Sequence, residues 1–69
     1  MDITQISVQL RKRREFLDLR QEDLSEMSGV AIKSIQLVET GKGNPSVKTL
    51  NKIITVLGLE LTVQIKNVI

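Results

Sequence analysis

The chain contains neither histidine nor cysteine. Ser-His-Asp triads, Cys-His dyads and zinc sites built on imidazole or thiolate are therefore excluded. Its carboxylates are scattered without a partner base, so no enzyme activity, metal or cofactor is expected. The residue types that remain suit recognition. Ile35 and Val38, three apart, mark one apolar helical face. With that face turned inward, Ile32, Lys33, Gln36 and Leu37 must turn outward. Two large aliphatics on a face open to water are a liability unless something covers them. In a DNA major groove Ile32 and Leu37 would meet thymine methyl groups, and Gln36 would pair with an adenine edge. The plainer reading is an ordinary solvated face. A second signal is Arg14, which at about 100° per residue shares a face with Ile3, Ile6, Leu10 and Leu17. A guanidinium on a core face needs a partner. Arg11 and Lys12 point away, and the basic run 11–13 reads as a solvated face.

These residues must be positioned by one small domain of 69 residues. A chain of this size buries only about 60% of the surface its unfolded form exposes, so its stability is marginal. Disulfides are excluded, which leaves association with a second copy as the obvious support. Hydrophobic residues make up 41% and charged residues 26%, as in ordinary folded domains. No apolar run approaches the roughly 20 residues that span a bilayer. No signal peptide is recognisable, because the basic cluster 11–14 follows the first helical stretch instead of preceding an apolar one. A cytoplasmic, nucleoid-associated location without membrane contact is expected. Ten basic against eight acidic side chains give a net charge of +2, which permits a nucleic-acid partner without requiring one. The single aromatic, Phe16, argues against a binder that stacks single-stranded bases.

Local signals divide the chain into four helices. Asp2 and Gln5 form a capping-box pattern at the start of a helix over residues 2–17. Asp18, which tolerates the left-handed conformation, follows it. A short helix over 21–28 carries Glu22 and Asp23 in its first turn, where the helix dipole favours negative charge. Its apolar positions are Leu24 and Met27, and Gly29 stops it. A third helix runs from 32 to about 40. Gly41, Gly43, Asn44 and Pro45 make a loop. Ser46 caps a fourth helix whose Val47, Leu50, Ile53, Ile54 and Leu57 recur at helical spacing, and Gly58 ends it. Val8 and Phe16 lie off the core face, with partial burial against a neighbouring loop the simpler expectation. The period then changes. In LELTVQIK, residues 59–66, apolar and polar side chains alternate, which predicts a half-buried strand. No second strand exists in the chain to pair with it. Two copies joined antiparallel about a two-fold axis would satisfy it and place Leu61, Val63 and Ile65 on one face.

The second and third helices, joined through Gly29 with small Ser25 where they must cross, have helix-turn-helix spacing. That unit projects the start of its second helix into the major groove. Residues 10–59 resemble the Cro/C1-type (Xre-like) helix-turn-helix family. The matching features are Arg14, Gln21, Leu24, Gly29-Val30, Ile35, Glu39, Gly41, Asn44-Pro45 and the SxxTL of residues 46–50. Arg20 and Ala31 stand where Ser or Thr caps are usual, so both short helices are expected to be weakly capped. The resemblance implies an all-α, lambda-repressor-like four-helix domain over residues 1–59, with 60–69 as a C-terminal dimerisation strand and tail. It implies base reading by Ala31, Ile32, Lys33, Gln36 and Leu37. It implies phosphate contacts by Arg20, Gln21, Ser34, Lys42 and Asn44, and an Arg14–Glu39 ion pair that is structural. The strand directly after the last helix resembles the HipB type of antitoxin, a homodimer that represses its own operon at a pseudo-palindromic site and holds a HipA-type kinase toxin. The rival expectations are a stand-alone phage-type or restriction-controller regulator, and a toxin-sequestering module without DNA binding.

Overall fold

In the computed structural model, which describes residues 2–63, the chain forms α1 Ile3–Phe16, α2 Gln21–Ser28, α3 Ile32–Glu39 and α4 Val47–Val56. Several of these boundaries have a local cause. The Asp2 carboxylate accepts from the Gln5 backbone N–H at 2.9 Å, and the Gln5 side chain accepts from the Asp2 N–H at 2.9 Å. This reciprocal box satisfies two donors that no helical carbonyl can reach. α1 ends at Phe16 with Leu17 as its C-cap, and Asp18 takes a left-handed φ of 58° that turns the chain. α2 stops at Gly29, whose φ of 76° is disfavoured for any residue with a Cβ. Ser46 caps α4, its Oγ accepting from the Thr49 N–H at 3.1 Å.

The four helices close on one apolar cluster. Leu10 comes from α1, Leu24 from α2, Ile35 and Val38 from α3, and Leu50, Ile53 and Ile54 from α4. Val30 from the turn and Leu57 from the end of α4 complete it. Leu24, Ile35 and Leu57 have no exposed surface. Each such side chain contributes about 1.5–3 kcal/mol relative to the exposed state. Ile6, Leu19, Val56 and Leu59 pack around the rim. The inward phase expected for Ile35 and Val38 is the one observed.

Several apolar expectations do not hold. Leu17, Met27 and Val47 are 37%, 59% and 73% exposed. Leu17 lies past the last turn of α1, where the helical periodicity that assigned it inward no longer operates. Met27 and Val47 belong to helices whose buried stripes are carried by Leu24 and by Leu50, Ile53 and Ile54. Phe16 is 77% exposed instead of tucked under a loop. Beyond Gly58 the chain leaves the helices. Leu59 packs on the core, while Leu61 and Val63 are 40% and 101% exposed. Residues 59–63 carry neither helix nor strand, and no strand occurs among the described residues. Ladder pairing defines a strand, and a single copy offers this segment none. Ile65 and the rest of the alternating stretch lie outside the described residues. No helix among the described residues is long and apolar enough to cross a membrane.

Candidate nucleic-acid interface

The outer surface of α3 is defined by what it cannot bury. Ile35 is 0% and Val38 2% exposed, which fixes the rotation of the helix. Lys33, Gln36 and Leu37 are consequently exposed, and the i, i+3, i+4 spacing places them side by side. Ala31 is exposed at the N-cap. Ile32 is half-buried, so it is less of an outward residue than its phase suggests. Leu37 is 43% exposed and lies along the loop, where a Cβ on Gly43 would stand 3.6 Å from the Leu37 Cβ. The apolar liability on this face is therefore smaller than the sequence implies.

The residues considered for phosphate contact fall into two groups. Ser34, Lys42 and Asn44 line a shallow cleft between α3 and the start of α4, together with Leu37, Ser46 and Thr49. Arg20 and Gln21 stand apart, at the start of α2, and both are engaged within the protein. The Arg20 guanidinium donates to Asp23 at 3.2 and 3.0 Å, and Glu22 lies 3.8 Å away. Asp23 also accepts the Arg20 backbone N–H at 2.8 Å, the returning half of a capping box. α2 is thus better capped than its lack of an N-cap Ser or Thr suggests. The guanidinium hydrogen bond, followed by the backbone one, holds the Asp23 carboxyl below the usual carboxylate range. Gln21 turns its amide to Glu39, Nε2 donating to Oε1 at 3.2 Å. Its side chain therefore serves the fold, whatever its backbone N–H does at the helix start. α3 has no side-chain cap at Ala31, as expected.

Behind this surface lies an ionic joint. Arg14 grips Glu39 with both arms of its guanidinium, Nε to Oε2 at 2.7 Å and Nη2 to Oε1 at 2.9 Å. Its third nitrogen, Nη1, donates to the Leu19 carbonyl at 2.8 Å. The two side chains are only 13% and 4% exposed. The bidentate bond raises the affinity of the Arg14 guanidinium for its proton, against the opposing effect of burial. The joint connects the end of α1 to the last turn of α3, and through Gln21 to the start of α2.

Three residues of α1 act where sequence reasoning expected little. Ser7, 3% exposed, sets its Oγ 2.6 Å from the Val38 carbonyl. Arg11 Nη1 donates to the Glu39 carbonyl at 3.2 Å. Arg13 Nε donates to the Leu57 carbonyl at 2.9 Å, and its guanidinium lies 5.3 Å from the centre of the Phe16 ring. The basic run is thus not merely a solvated face: two of its arginines cap the C-terminal ends of other helices, where unpaired carbonyls attract cations. A signal for Ser7 was present, because it stands four after Ile3, three before Leu10 and seven before Arg14. Nothing local marks Arg13, whose partner lies 44 residues away.

Four helices, a left-handed glycine between the second and third, and a polar outer face on the third define a helix-turn-helix protein. The helix-turn-helix family model matches residues 10–64, and the chain belongs to that family. Among solved structures, it is similar to an HTH_3 family transcriptional regulator from Vibrio cholerae, at 28% identity and a TM-score of 0.77. That similarity covers 84% of this chain and 33% of the other, so the chain spans about a third of its neighbour's length. Among curated proteins, none matches the chain.

Proposed function

We propose that this protein is a sequence-specific DNA-binding transcriptional regulator that lays α3 in the major groove. The observation that carries the reading is the outer face of α3. Exposed Lys33 and Gln36 sit side by side on a helix whose rotation is fixed by fully buried neighbours. Such a surface does nothing for the fold and presents groups that recognise base edges. Ala31, Ile32 and Leu37 complete the proposed reading surface. Ser34, Lys42 and Asn44 supply phosphate contacts from the adjoining cleft, with the exposed Arg20 and the backbone N–H of Gln21 at the start of α2. Phosphate contacts set register and base contacts set sequence.

The test begins with the full chain and a random pool of duplex DNA, from which bound sequences are selected. Gln36→Ala should then lose about 1–3 kcal/mol on the selected duplex and little on a scrambled one. Titration at fixed salt measures both. Equal losses on the two duplexes would assign Gln36 a non-specific role.

The finer reading is a HipB-like antitoxin, with residues 1–59 as the DNA-binding domain and 60–69 as the dimerisation strand. Leu61, Val63 and Ile65 would form the shared face, and the partners would be a pseudo-palindromic operator and a HipA-type kinase toxin. Its support is the alternation in residues 59–66 and the absence of a second strand in the sequence. Co-purification of the native operon's products tests it: a kinase-like protein retained through gel filtration is the expected result. A chain recovered alone favours a stand-alone regulator.

A further inference from the structure

We infer that α3 reads a guanine with Lys33 and an adenine with Gln36, so that the target of this chain carries a G·C pair one or two steps from an A·T pair. The inference rests on the proposal that α3 meets DNA, and it names the bases which that surface takes.

The polar inventory of the outer face is short. α3 has the sequence IKSIQLVE, with Lys33 its one cation and Glu39 its one carboxylate. The Glu39 side chain is 4% exposed and bonded to Arg14 and Gln21, so it meets no base. The Thr40 hydroxyl, at the C-cap, donates to the Leu37 carbonyl at 3.0 Å. Ser34 is half-buried and lines the cleft toward α4. Lys33 and Gln36 remain, both exposed. Comparable groups elsewhere serve the fold. Arg11, Arg13, Arg14 and Arg20 each donate within the protein, and the amides of Gln5 and Gln21 are bonded there too. Among the described residues, Lys33 enters no ion pair.

The chemistry of the two groups selects their bases. An ammonium only donates, whereas a carboxamide donates and accepts. In the major groove guanine sets two acceptors, O6 and N7, side by side. Thymine offers one acceptor, and cytosine a donor that an ammonium cannot use. Guanine therefore suits Lys33 best. Adenine sets an acceptor beside a donor, the complement of the Gln36 amide. With no carboxylate on the face, nothing there reads the cytosine amino group. Spacing then fixes how near the two bases lie. Three residues advance about 4.5 Å along a helix, against about 3.4 Å for one base step. A helix lying along the groove thus presents Lys33 and Gln36 to positions one or two steps apart. Leu37, next to Gln36 and 43% exposed, adds a thymine-methyl contact on the A·T side.

The experiment selects duplexes from a random pool with the full chain and measures them by fluorescence anisotropy at several salt concentrations. The wild-type pool should share a G·C pair one or two steps from an A·T pair. Replacing that guanine by 7-deazaguanine, which lacks the N7 acceptor, should weaken wild-type binding about tenfold. Lys33→Ala should lose about tenfold on the guanine duplex, lose nothing further on the 7-deazaguanine duplex, and change little on a scrambled one. Lys33→Glu should select cytosine in place of that guanine and keep the adenine, because a carboxylate accepts from the cytosine amino group. The fold tolerates this exchange, since the first turn of α3 holds no acidic residue and the helix dipole favours one there. A Lys33→Ala loss that is equal on selected and scrambled duplexes, with the salt slope lowered by about one, makes Lys33 a phosphate contact and overturns the inference. Wild-type binding indifferent to 7-deazaguanine overturns it as well, as does a Lys33→Glu pool that retains the guanine. If Lys33→Glu enriches nothing, the 7-deazaguanine comparison decides. A wild-type chain that enriches no duplex removes the DNA-binding reading and this inference with it. Enrichment of duplexes without the paired guanine and adenine removes the inference alone.

Discussion

Glu39 is reached from two other helices: by Arg14 and Arg11 of α1 and by Gln21 of α2. Its carboxylate is almost wholly buried, so its partners must neutralise it completely. Glu39→Gln would leave the Arg14 guanidinium, only 13% exposed, without its counter-charge. The expected loss is about 3–5 kcal/mol of unfolding free energy, measured by urea denaturation followed by circular dichroism. A loss below about 1 kcal/mol would place the pair among ordinary surface ion pairs. The sequence exposes half of this arrangement. Arg14 interrupts an apolar stripe, and a charge in that position demands a partner. Ser7 occupies the same stripe, yet a hydroxyl is small and neutral enough to pass as a solvent-facing residue. Gln21 reads as a surface amide until Glu39 is brought beside it by the fold.

At the scale of elements, the helices were readable because their ends are written locally. Asp2 with Gln5, Ser46 with Thr49, and the left-handed Asp18, Gly29 and Gly58 need no tertiary information. Side-chain burial was less readable. Met27 and Val47 have the right hydrophobicity and lie outside the stripes that the packed helices bury. Gly29 offers a clean test of the turn. Nothing lies within 4 Å of a Cβ built there, so a side chain meets only the cost of its own backbone. Gly29→Ala should destabilise by about 1–2 kcal/mol, and Gly29→Asn by less, because Asn visits the left-handed region more readily. Thermal melts of the two variants compare them directly. An equal loss in both would mean that the turn is limited by packing instead.

For the whole molecule, the open question is the surface beside the C-terminal segment. Ile6, Leu10 and Ile54 form a groove with residues 59–62, and Leu61 and Val63 stand exposed next to it. The alternation that predicts a strand is a property of one chain, whereas strand pairing is a property of two. The sequence can state the need for a partner and cannot display it. In the proposed dimer, Val63→Pro removes a backbone donor and should shift the protein toward monomer in sedimentation equilibrium. Affinity for the selected duplex should fall with it, although no proposed DNA-contacting residue has changed. A tight dimer in Val63→Pro would move the interface elsewhere, with α4 the first place to look.

The separation of the outer face of α3 from the residues that support the helix also has an evolutionary meaning. Lys33 and Gln36, at the proposed reading surface, hold up nothing, while the side chains of Ser7, Arg14, Gln21 and Glu39 are bonded within the protein and hold the helix in place. Selection for a new target sequence can therefore act through single exchanges at two solvent-facing positions without a matching repair in the core. That support has no such freedom. Its members answer to one another: a change at Glu39 leaves Arg14 and Gln21 without their partner, so altering the support costs more than altering the proposed reading surface.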